Sequence, residues 1–238
     1  MLSKKISLVK KYIKLSKLRV VELLLVTTVP SMIVSLYSMP PLNLVAYTLI
    51  GGTLLAVSAN VMNQVFEIDR DKLMTRTSDR PLVTGDLKKS SAIIYSIVMG
   101  VIGFMVLYFL TTPTAALIGL IANQFYIFVY TLILKPRTNQ NIVIGGAAGA
   151  APVLIGWTAT GSTLDVGAWL LFLLVFMWTP AHFWALSIEN ESDYKNADFP
   201  MLPTQETHER SSIYIAIYSC ATVLISIAAA PVLQLGIV

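Results

Sequence analysis

The chain has 238 residues, of which 55% are hydrophobic and only 13% are charged, and its mean hydropathy is +0.71. A soluble domain of this length would need far more charge to cover its surface, so the composition excludes an ordinary soluble globular protein. The single cysteine, Cys220, lies inside an apolar stretch, which excludes both a disulfide framework and a cysteine metal site.

The chain begins with a basic amphipathic stretch and continues with seven apolar segments that are almost free of charge. The segments cover residues 23–36, 42–65, 92–110, 114–134, 142–158, 166–188 and 213–238. A hydrocarbon core of roughly 30 Å requires about 20 apolar residues of a spanning helix. We therefore predict an all-α, polytopic transmembrane bundle of seven spans, forming one domain over residues 1–238.

The basic stretch is either a membrane-surface helix or a solvated tail. In the fifth segment, the spacing of Gly145 and Gly149 predicts close approach of a neighbouring helix.

The placement of the basic residues tests this topology independently. All 17 Lys and Arg residues fall within the segments 1–19, 67–89, 135–140 and 189–210, which seven spans place on one side of the membrane. By the positive-inside rule, we expect the N-terminus and these segments in the cytoplasm. The net charge of +4 then reflects orientation and attraction to anionic lipids, and we expect no nucleic-acid partner.

A first polar cluster follows the second apolar segment. Asn63, Glu67 and Asp71 are spaced i, i+4, i+8, so their oxygen atoms share one face if the helix continues through them. Such a face favours Mg²⁺, because this ion prefers oxygen ligands and shares its coordination sphere with substrate phosphates. Cations that can bind diphosphate oxygens follow at Lys72, Arg76 and Arg80. The alternative is an ordinary charged loop, solvated and without a ligand.

A second polar cluster lies between the sixth and seventh apolar segments. Its charged members are Glu189, Glu191, Asp193, Lys195 and Asp198. Pro180 precedes it and is expected to kink the sixth span, and His182 is expected near the membrane boundary. A lone histidine at an interface is more often a structural group than a ligand. Two acidic loops on the same side, each at a helix end, nevertheless suggest a paired site that bridges metal ions.

These residues resemble the motifs of the UbiA-type intramembrane prenyltransferase superfamily. Its first motif is N-x-x-x-D-x-x-x-D, which Asn63 and Asp71 match, while Glu67 keeps a carboxylate of longer reach where the first Asp is usual. Further segments resemble signatures of the heme-modifying branch of this family: 74–85, 134–138, 141–146, 180–186, 193–197 and 200–203. Residues 15–19 resemble its L-T-K-P-R segment, with Leu18 where Pro is usual.

The resemblance implies an enzyme that transfers a farnesyl group from farnesyl diphosphate to a vinyl carbon of heme B, giving heme O within the lipid bilayer. The implied Mg²⁺ ligands are Asn63, Glu67, Asp71 and Asp193. Arg76 and Arg80 are implied to neutralise the leaving diphosphate. The residues expected to bind substrate are Lys72, Asn123, Tyr130, Lys135, Arg137, His182, Tyr194 and Lys195. His182 is a candidate ligand of the heme iron.

The family has nine spans, so we expect one or two C-terminal helices to be missing here. The oligomeric state stays open.

Two other functions are weighed against this one. The first is a prenyltransferase of the same superfamily that acts on a quinone precursor or a lipid, against which the 74–85 and 180–186 segments argue. The second is a secondary transporter with an intramembrane ion site. Transporters place broken helices and charges near the bilayer midplane, often in internal repeats, whereas the acidic residues here lie at one surface.

Overall fold

The structure is a computed structural model that describes the backbone of residues 2–234 and the side chains of residues 8–18, 21 and 26–234. Within this part of the chain, all regular structure is helical. The helices are α1 (Leu2–Ser16), α2 (Leu18–Leu36), α3 (Leu42–Phe66), α4 (Ile68–Asp71), α5 (Lys89–Leu110), α6 (Pro113–Gln124), α7 (Asn141–Ala159), α8 (Val166–Glu189), α9 (Glu191–Asn196), α10 (Leu202–Gln205) and α11 (His208–Val232). A π-helical segment, Phe125–Leu134, continues α6 without interruption and is called the π segment below.

Six of the seven predicted spans are confirmed as helices long and apolar enough to cross a membrane. They are α3, α5, α6 with the π segment, α7, α8 and α11. The first predicted span lies in α2, in which Val26–Leu36 forms a shorter apolar helix. The end of the last predicted span, residues 235–238, lies outside the described residues. The predicted all-α membrane fold is therefore confirmed.

Polar side chains mark where the spans begin. The hydroxyl of Thr112 accepts a hydrogen bond from the backbone N–H of Ala115 at 3.1 Å, and Pro113 occupies the first turn of α6. The carboxylate of Asp165 accepts from the N–H of Ala168 at 3.0 Å at the start of α8. Such caps satisfy N–H groups that have no partner within the helix, which matters most where lipid replaces water.

The basic segments of the chain meet at one end of the bundle, which we call the basic end. Lys11 and Lys14 of α1 form ion pairs of 2.6 Å with Asp86 and Asp79 of the α4–α5 loop. The α9 region reaches the same loop through Asp193. Three segments that are distant in sequence therefore share one end of the bundle, as the distribution of Lys and Arg predicts.

Glycines allow the helices to approach closely in the interior. A Cβ atom at Gly103 of α5 would lie 2.9 Å from the carbonyl oxygen of Gly51 in α3. In α7, a Cβ at Gly145 would overlap the ring of Tyr130, as the predicted close approach requires. Gly149 differs, since a Cβ there would meet nothing within 4 Å. The prediction of a packed two-glycine contact is thus wrong for Gly149, which lies at an internal cavity.

Candidate active site

A cavity of about 500 Å³ runs from the basic end into the bundle, between α3, the π segment, α7 and α8. Its wall is polar at the basic end and largely apolar deeper inside. Ten of the predicted site residues contribute to the wall: Asn63, Glu67, Asp71, Arg76, Arg80, Asn123, Tyr130, Lys135, His182 and Tyr194. The structure thus brings the first predicted polar cluster, apart from Lys72, around one space. The charged residues of the second cluster do not line the cavity, and only its neighbours His182 and Tyr194 do.

The acidic motif forms one continuous face. α3 ends at Phe66 and α4 begins at Ile68, but the hydrogen-bond spacing continues through the junction. The N–H of Glu67 donates to the carbonyl of Asn63 at 3.0 Å, and that of Asp71 to the carbonyl of Glu67 at 2.8 Å. The three side chains are buried, with exposed fractions of 2%, 5% and 1% for Asn63, Glu67 and Asp71. The predicted i, i+4, i+8 face is therefore present.

Each buried carboxylate of this face has a cation beside it. Asp71 forms an ion pair with Arg80 of the following loop. Glu67 forms an ion pair with Lys135, whose Nζ lies 2.6 Å from Oε1. A buried carboxylate without a cation would be very unfavourable, so the two pairs make an acidic interior possible.

The donor set fits a magnesium ion. Oδ1 of Asp71 is buried and has no hydrogen-bond partner among the described atoms. The amide nitrogen of Asn63 donates to Oγ1 of Thr131 at 3.2 Å, which leaves the amide oxygen as a free acceptor. No group of three Asp, Glu, His or Cys side chains converges in the described part of the chain. Two carboxylates and an amide nevertheless suffice for Mg²⁺, which completes its coordination with water and phosphate oxygens.

Asp193 lies outside the cavity wall and contacts the loop that follows α4. Its two carboxylate oxygens accept hydrogen bonds from the backbone N–H groups of Thr75 and Arg76, each at 3.0 Å. The bond from Arg76 is the main reason that the pKa of Asp193 lies below its ordinary value. This carboxylate therefore fixes the backbone that carries Arg76, and metal binding by Asp193 stays a prediction.

Three other predicted residues also lie outside the cavity wall. Lys72 pairs with Asp69 at 2.9 Å on the surface. Lys195 pairs with Glu191 at 2.6 Å. Nη1 of Arg137 donates to the carbonyl of Leu132 at 2.8 Å and so satisfies the end of the π segment. Their predicted contact with substrate stays a prediction.

The π segment shapes the cavity wall in a way that the sequence did not indicate. Its wider turn is seen where the N–H of Lys135 donates to the carbonyl of Tyr130, five residues earlier, at 2.8 Å. Tyr126 and Tyr130 lie on its cavity side, with ring centroids 5.0 Å apart and planes inclined by 33°. π-Helical turns are rare and frequently occur at functional sites. Asn123 and Tyr130, both predicted to bind substrate, line the cavity together with Tyr126.

The opposite wall is formed by α7 and α8. The ring of His182 stacks on Trp178, with centroids 4.4 Å apart and planes inclined by 15°. Within the described side chains, the ring nitrogens of His182 have no hydrogen-bond partner. The glycines of α7, including Gly149, leave space between this aromatic pair and the π segment. The result is a wide apolar space next to a cluster of charges.

Two residues near the polar end of the cavity have no role predicted from the sequence. Lys17 lines the cavity from the junction of α1 and α2, and the 15–19 signature was its only signal. The ring of Phe199 lies 4.6 Å from both the Arg70 guanidinium and the Lys135 ammonium. No local pattern indicated Phe199, because its position depends on the fold of the α9–α10 connection.

Comparison with known proteins places the chain among relatives of closely similar sequence. Residues 24–238 match the UbiA prenyltransferase family. Protoheme IX farnesyltransferase 1 of Saccharopolyspora erythraea is 47% identical over 220 residues, which are 92% of this chain and 70% of that protein. Protoheme IX farnesyltransferase of Parafrankia sp. is 49% identical over 227 residues, covering 95% of this chain and 72% of that protein.

Solved structures share the fold at low sequence identity. A UbiA homolog from Archaeoglobus fulgidus bound to DMAPP and Mg²⁺ has a TM-score of 0.75 and 19% identity, covering 90% of this chain and 76% of that one. A structure of digeranylgeranylglyceryl phosphate synthase has a TM-score of 0.76 and 19% identity, with coverages of 96% and 80%. At this identity the likeness establishes the architecture alone.

Proposed function

Because this chain belongs to the UbiA prenyltransferase family, we propose that it transfers a farnesyl group from farnesyl diphosphate to a vinyl group of heme B, producing heme O. One observation carries the proposal: a single cavity joins a buried cluster of carboxylates and cations to a wide apolar space. The relatives at 47% and 49% identity are called protoheme IX farnesyltransferases, which favours heme as the acceptor. By the positive-inside rule, the basic end faces the cytoplasm of the cell membrane in this proposal.

The polar end of the cavity receives the diphosphate. Asn63, Glu67 and Asp71 would hold Mg²⁺ there, and the unpartnered Oδ1 of Asp71 supports this assignment. Mg²⁺, when bound, supplies positive charge next to the departing diphosphate. Arg76 and Arg80 add guanidinium groups, which suit phosphate oxygens because they donate in pairs. Asp193 holds the Arg76 backbone in place for this purpose.

The apolar part of the cavity protects the allylic cation. The C–O bond to the diphosphate breaks and leaves a farnesyl cation, which the vinyl carbon attacks to form the new C–C bond. The positive charge moves to the carbon next to the porphyrin, where water adds and loses a proton to give a hydroxyl group. An apolar cavity that excludes water favours attack by the vinyl carbon, since the farnesyl cation would otherwise be hydrolysed. The rings of Tyr126 and Tyr130 offer π-faces to the cationic carbon.

The heme lies, in this proposal, against α7 and α8. A flat macrocycle needs an open wall, and Gly149 leaves one. Imidazole is a common ligand of heme iron, and the ring of His182 has no hydrogen-bond partner among the described residues that would compete. A cavity of about 500 Å³ is within the usual range for ligand sites.

Product analysis tests the proposal. Detergent-purified protein is incubated with heme B, farnesyl diphosphate and Mg²⁺, and products are separated and identified by mass. We expect heme O from the wild type, none from Asp71→Asn, and normal product from the matched control Asp69→Asn, whose carboxylate is on the surface. If folded wild-type protein binds the diphosphate but forms no prenylated heme, the acceptor is wrong, and quinone precursors and lipids are tested next.

A further inference from the structure

Asn60 presents an unpaired amide to the cavity. It lies in α3 and lines the cavity, although only 5% of its surface is exposed. Its backbone carbonyl accepts a hydrogen bond from Nε2 of Gln64 at 3.1 Å, but its side-chain amide has no hydrogen-bond partner among the described residues. A buried amide without a partner is unfavourable, so proteins seldom keep one unless water or a ligand completes its hydrogen bonds. The amide therefore indicates a polar species that occupies the cavity beside it.

Asn60 shares a face of α3 with Asn63 and lies one turn deeper in the bundle. The two residues are three positions apart, which returns to the same side of a helix, and both line the cavity. A rise of 1.5 Å per residue separates them by about 4.5 Å along the helix axis. Contacts on both sides hold this turn in place. Nδ2 of Asn123 donates to the carbonyl of Leu55 at 2.8 Å, and Nδ2 of Asn63 donates to Oγ1 of Thr131 at 3.2 Å.

The depth of Asn60 matches the place where the proposed reaction forms its new bond. The diphosphate is assigned to the acidic motif that begins at Asn63, and the carbon that leaves it is bonded directly to a diphosphate oxygen. This carbon and the vinyl group therefore meet about one helical turn beyond the motif. The neighbouring wall includes the small apolar residues Ala56, Ala59 and Ala122. Farnesyl and vinyl groups are hydrocarbons, and the propionates of heme lie on another edge of the macrocycle, so water is the reactant there that can bond to the amide.

We propose that Asn60 positions the water molecule that completes the reaction. The inference rests on the proposed function, because it takes farnesyl diphosphate and heme B as the substrates. The C–O bond of farnesyl diphosphate breaks with its electron pair on the diphosphate, and the π electrons of the vinyl group form the new C–C bond. The carbon next to the porphyrin is then electron-deficient, and a lone pair of the water forms a C–O bond to it. One proton of that water passes to the departed diphosphate, so that atoms and charges balance.

The amide of Asn60 acts on this water in two ways. Its Oδ1 accepts a hydrogen bond from the water, which leaves a lone pair free to face the electron-deficient carbon. The same oxygen stabilises the positive charge that develops on the water as it adds. Without a water held in place, the cation loses a proton from the neighbouring CH₂ group and forms a double bond. Asn60 thus selects the hydroxylated product, heme O, over a product that lacks one molecule of water.

The test compares Asn60→Val with Asn60→Thr, two side chains of the same shape of which only Thr keeps a hydroxyl. Each protein is incubated with heme B, farnesyl diphosphate and Mg²⁺ in oxygen-labelled water, and the prenylated hemes are separated and identified by mass. We expect wild type to give heme O with a labelled hydroxyl. Asn60→Val should lower the ratio of hydroxylated to dehydrated product at least about tenfold, as for the loss of a hydrogen bond to a group that becomes charged. The ratio for Asn60→Thr should fall between the two.

The matched control is Ser58→Ala, which removes a buried polar group from the same helix. The Ser58 hydroxyl lies 3.3 Å from that of Ser96 in α5 and faces away from the cavity, so this variant should give the wild-type product ratio. Binding of pyrophosphate with Mg²⁺, measured by calorimetry, should be as tight in Asn60→Val as in wild type, because Asn60 lies outside the acidic motif. If Asn60→Val does not fold, Asn60→Ala replaces it, since it removes the amide without adding bulk.

The product ratio separates this inference from the proposed function. An unchanged ratio in the folded variant would overturn the role of Asn60 while leaving the proposed function intact. An equal loss of both products would also overturn it, because Asn60 would then act before water adds. A wild type that binds the diphosphate but forms no prenylated heme would instead count against the proposed function and this inference together.

Discussion

Lys135 Nζ lies 2.6 Å from Oε1 of Glu67, and this ion pair joins the end of the π segment to the end of α3 across 68 positions of the chain. Both side chains are largely buried, with 14% of Lys135 and 6% of Glu67 exposed. Lys135 also lies over the ring of Phe199. Three segments are therefore held together at the polar end of the cavity by one cation.

Removal of this cation should destabilise the fold. Lys135→Met leaves the Glu67 carboxylate buried without its partner, and the loss of one member of a buried ion pair costs about 3–5 kcal/mol. We expect a clear fall in the thermal unfolding temperature of the detergent-purified protein. The double variant Glu67→Gln/Lys135→Met should recover much of the loss, because no unpaired charge remains.

The matched control for this change is Lys72→Met. Its partner, Asp69, is 95% exposed, so water and salt screen the pair and the unfolding temperature should hardly change. Equal destabilisation by Lys135→Met and Lys72→Met would contradict the view that the buried pair holds the site together.

Gly149→Phe should block the acceptor without disturbing the fold. A Cβ atom at this position would have no neighbour within 4 Å, and Gly149 lines the cavity, so the phenyl ring is expected to take the space that we assign to heme. We expect heme B binding to fall at least about tenfold, measured by absorbance titration, while Mg²⁺-dependent pyrophosphate binding is retained. The contrasting variant is Gly145→Ala, whose Cβ would overlap the ring of Tyr130 and should lower the unfolding temperature. Normal heme binding by Gly149→Phe would place the acceptor elsewhere.

The spans and the acidic face could be predicted from sequence because their signals are local. Apolar length alone identifies a spanning helix, and the four-residue spacing of Asn63, Glu67 and Asp71 holds wherever the helix hydrogen bonds continue. The family resemblance, carried by short signatures along the chain, is confirmed by the match over residues 24–238.

The rest depends on contacts between distant segments. Asp193 meets the backbone of Thr75 and Arg76, more than a hundred residues away, and nothing near Asp193 in sequence encodes that contact. The π segment is equally hidden, since its residues are the apolar and aromatic ones of any membrane-spanning helix, and the spacing of Tyr126 and Tyr130 fits either helix type. Lys17 belongs to the 15–19 signature, but its place at the cavity depends on the break between α1 and α2, where its backbone adopts the left-handed φ of 50°.

Asp193 offers a test between positioning and metal binding. If its carboxylate holds the loop, Asp193→Asn keeps one acceptor oxygen of two and should raise the KM for farnesyl diphosphate several-fold. The Mg²⁺ concentration that gives half-maximal activity should then change little. Asp71→Asn, which alters a proposed ligand, should instead shift the Mg²⁺ dependence strongly. An equal shift in the Mg²⁺ dependence of the two variants would assign Asp193 to the metal and not to the loop.

The lowered pKa of Lys17 predicts how stability varies with pH. The unfolded side chain keeps its proton up to about pH 10.5, whereas the folded one releases it near pH 7. Between these values unfolding takes up a proton, so the free energy of unfolding contributed by this residue rises with pH, by at most about 1.4 kcal/mol per pH unit. We therefore expect wild-type protein to gain stability relative to Lys17→Gln as the pH rises from 7 towards 10.

The free energy of unfolding of both proteins is compared by thermal unfolding across this pH range. Because the two proteins share every other titratable group, the contributions of those groups cancel in the difference. Lys10→Gln, with its lysine on the exposed face of α1, should follow the wild-type curve. Saturation with Mg²⁺ and pyrophosphate should reduce the difference near pH 7, because the bound anion favours the charged ammonium and raises its pKa. Parallel curves for wild type and Lys17→Gln would mean that the ammonium is solvated and does not share the cavity with Arg80 and Lys135.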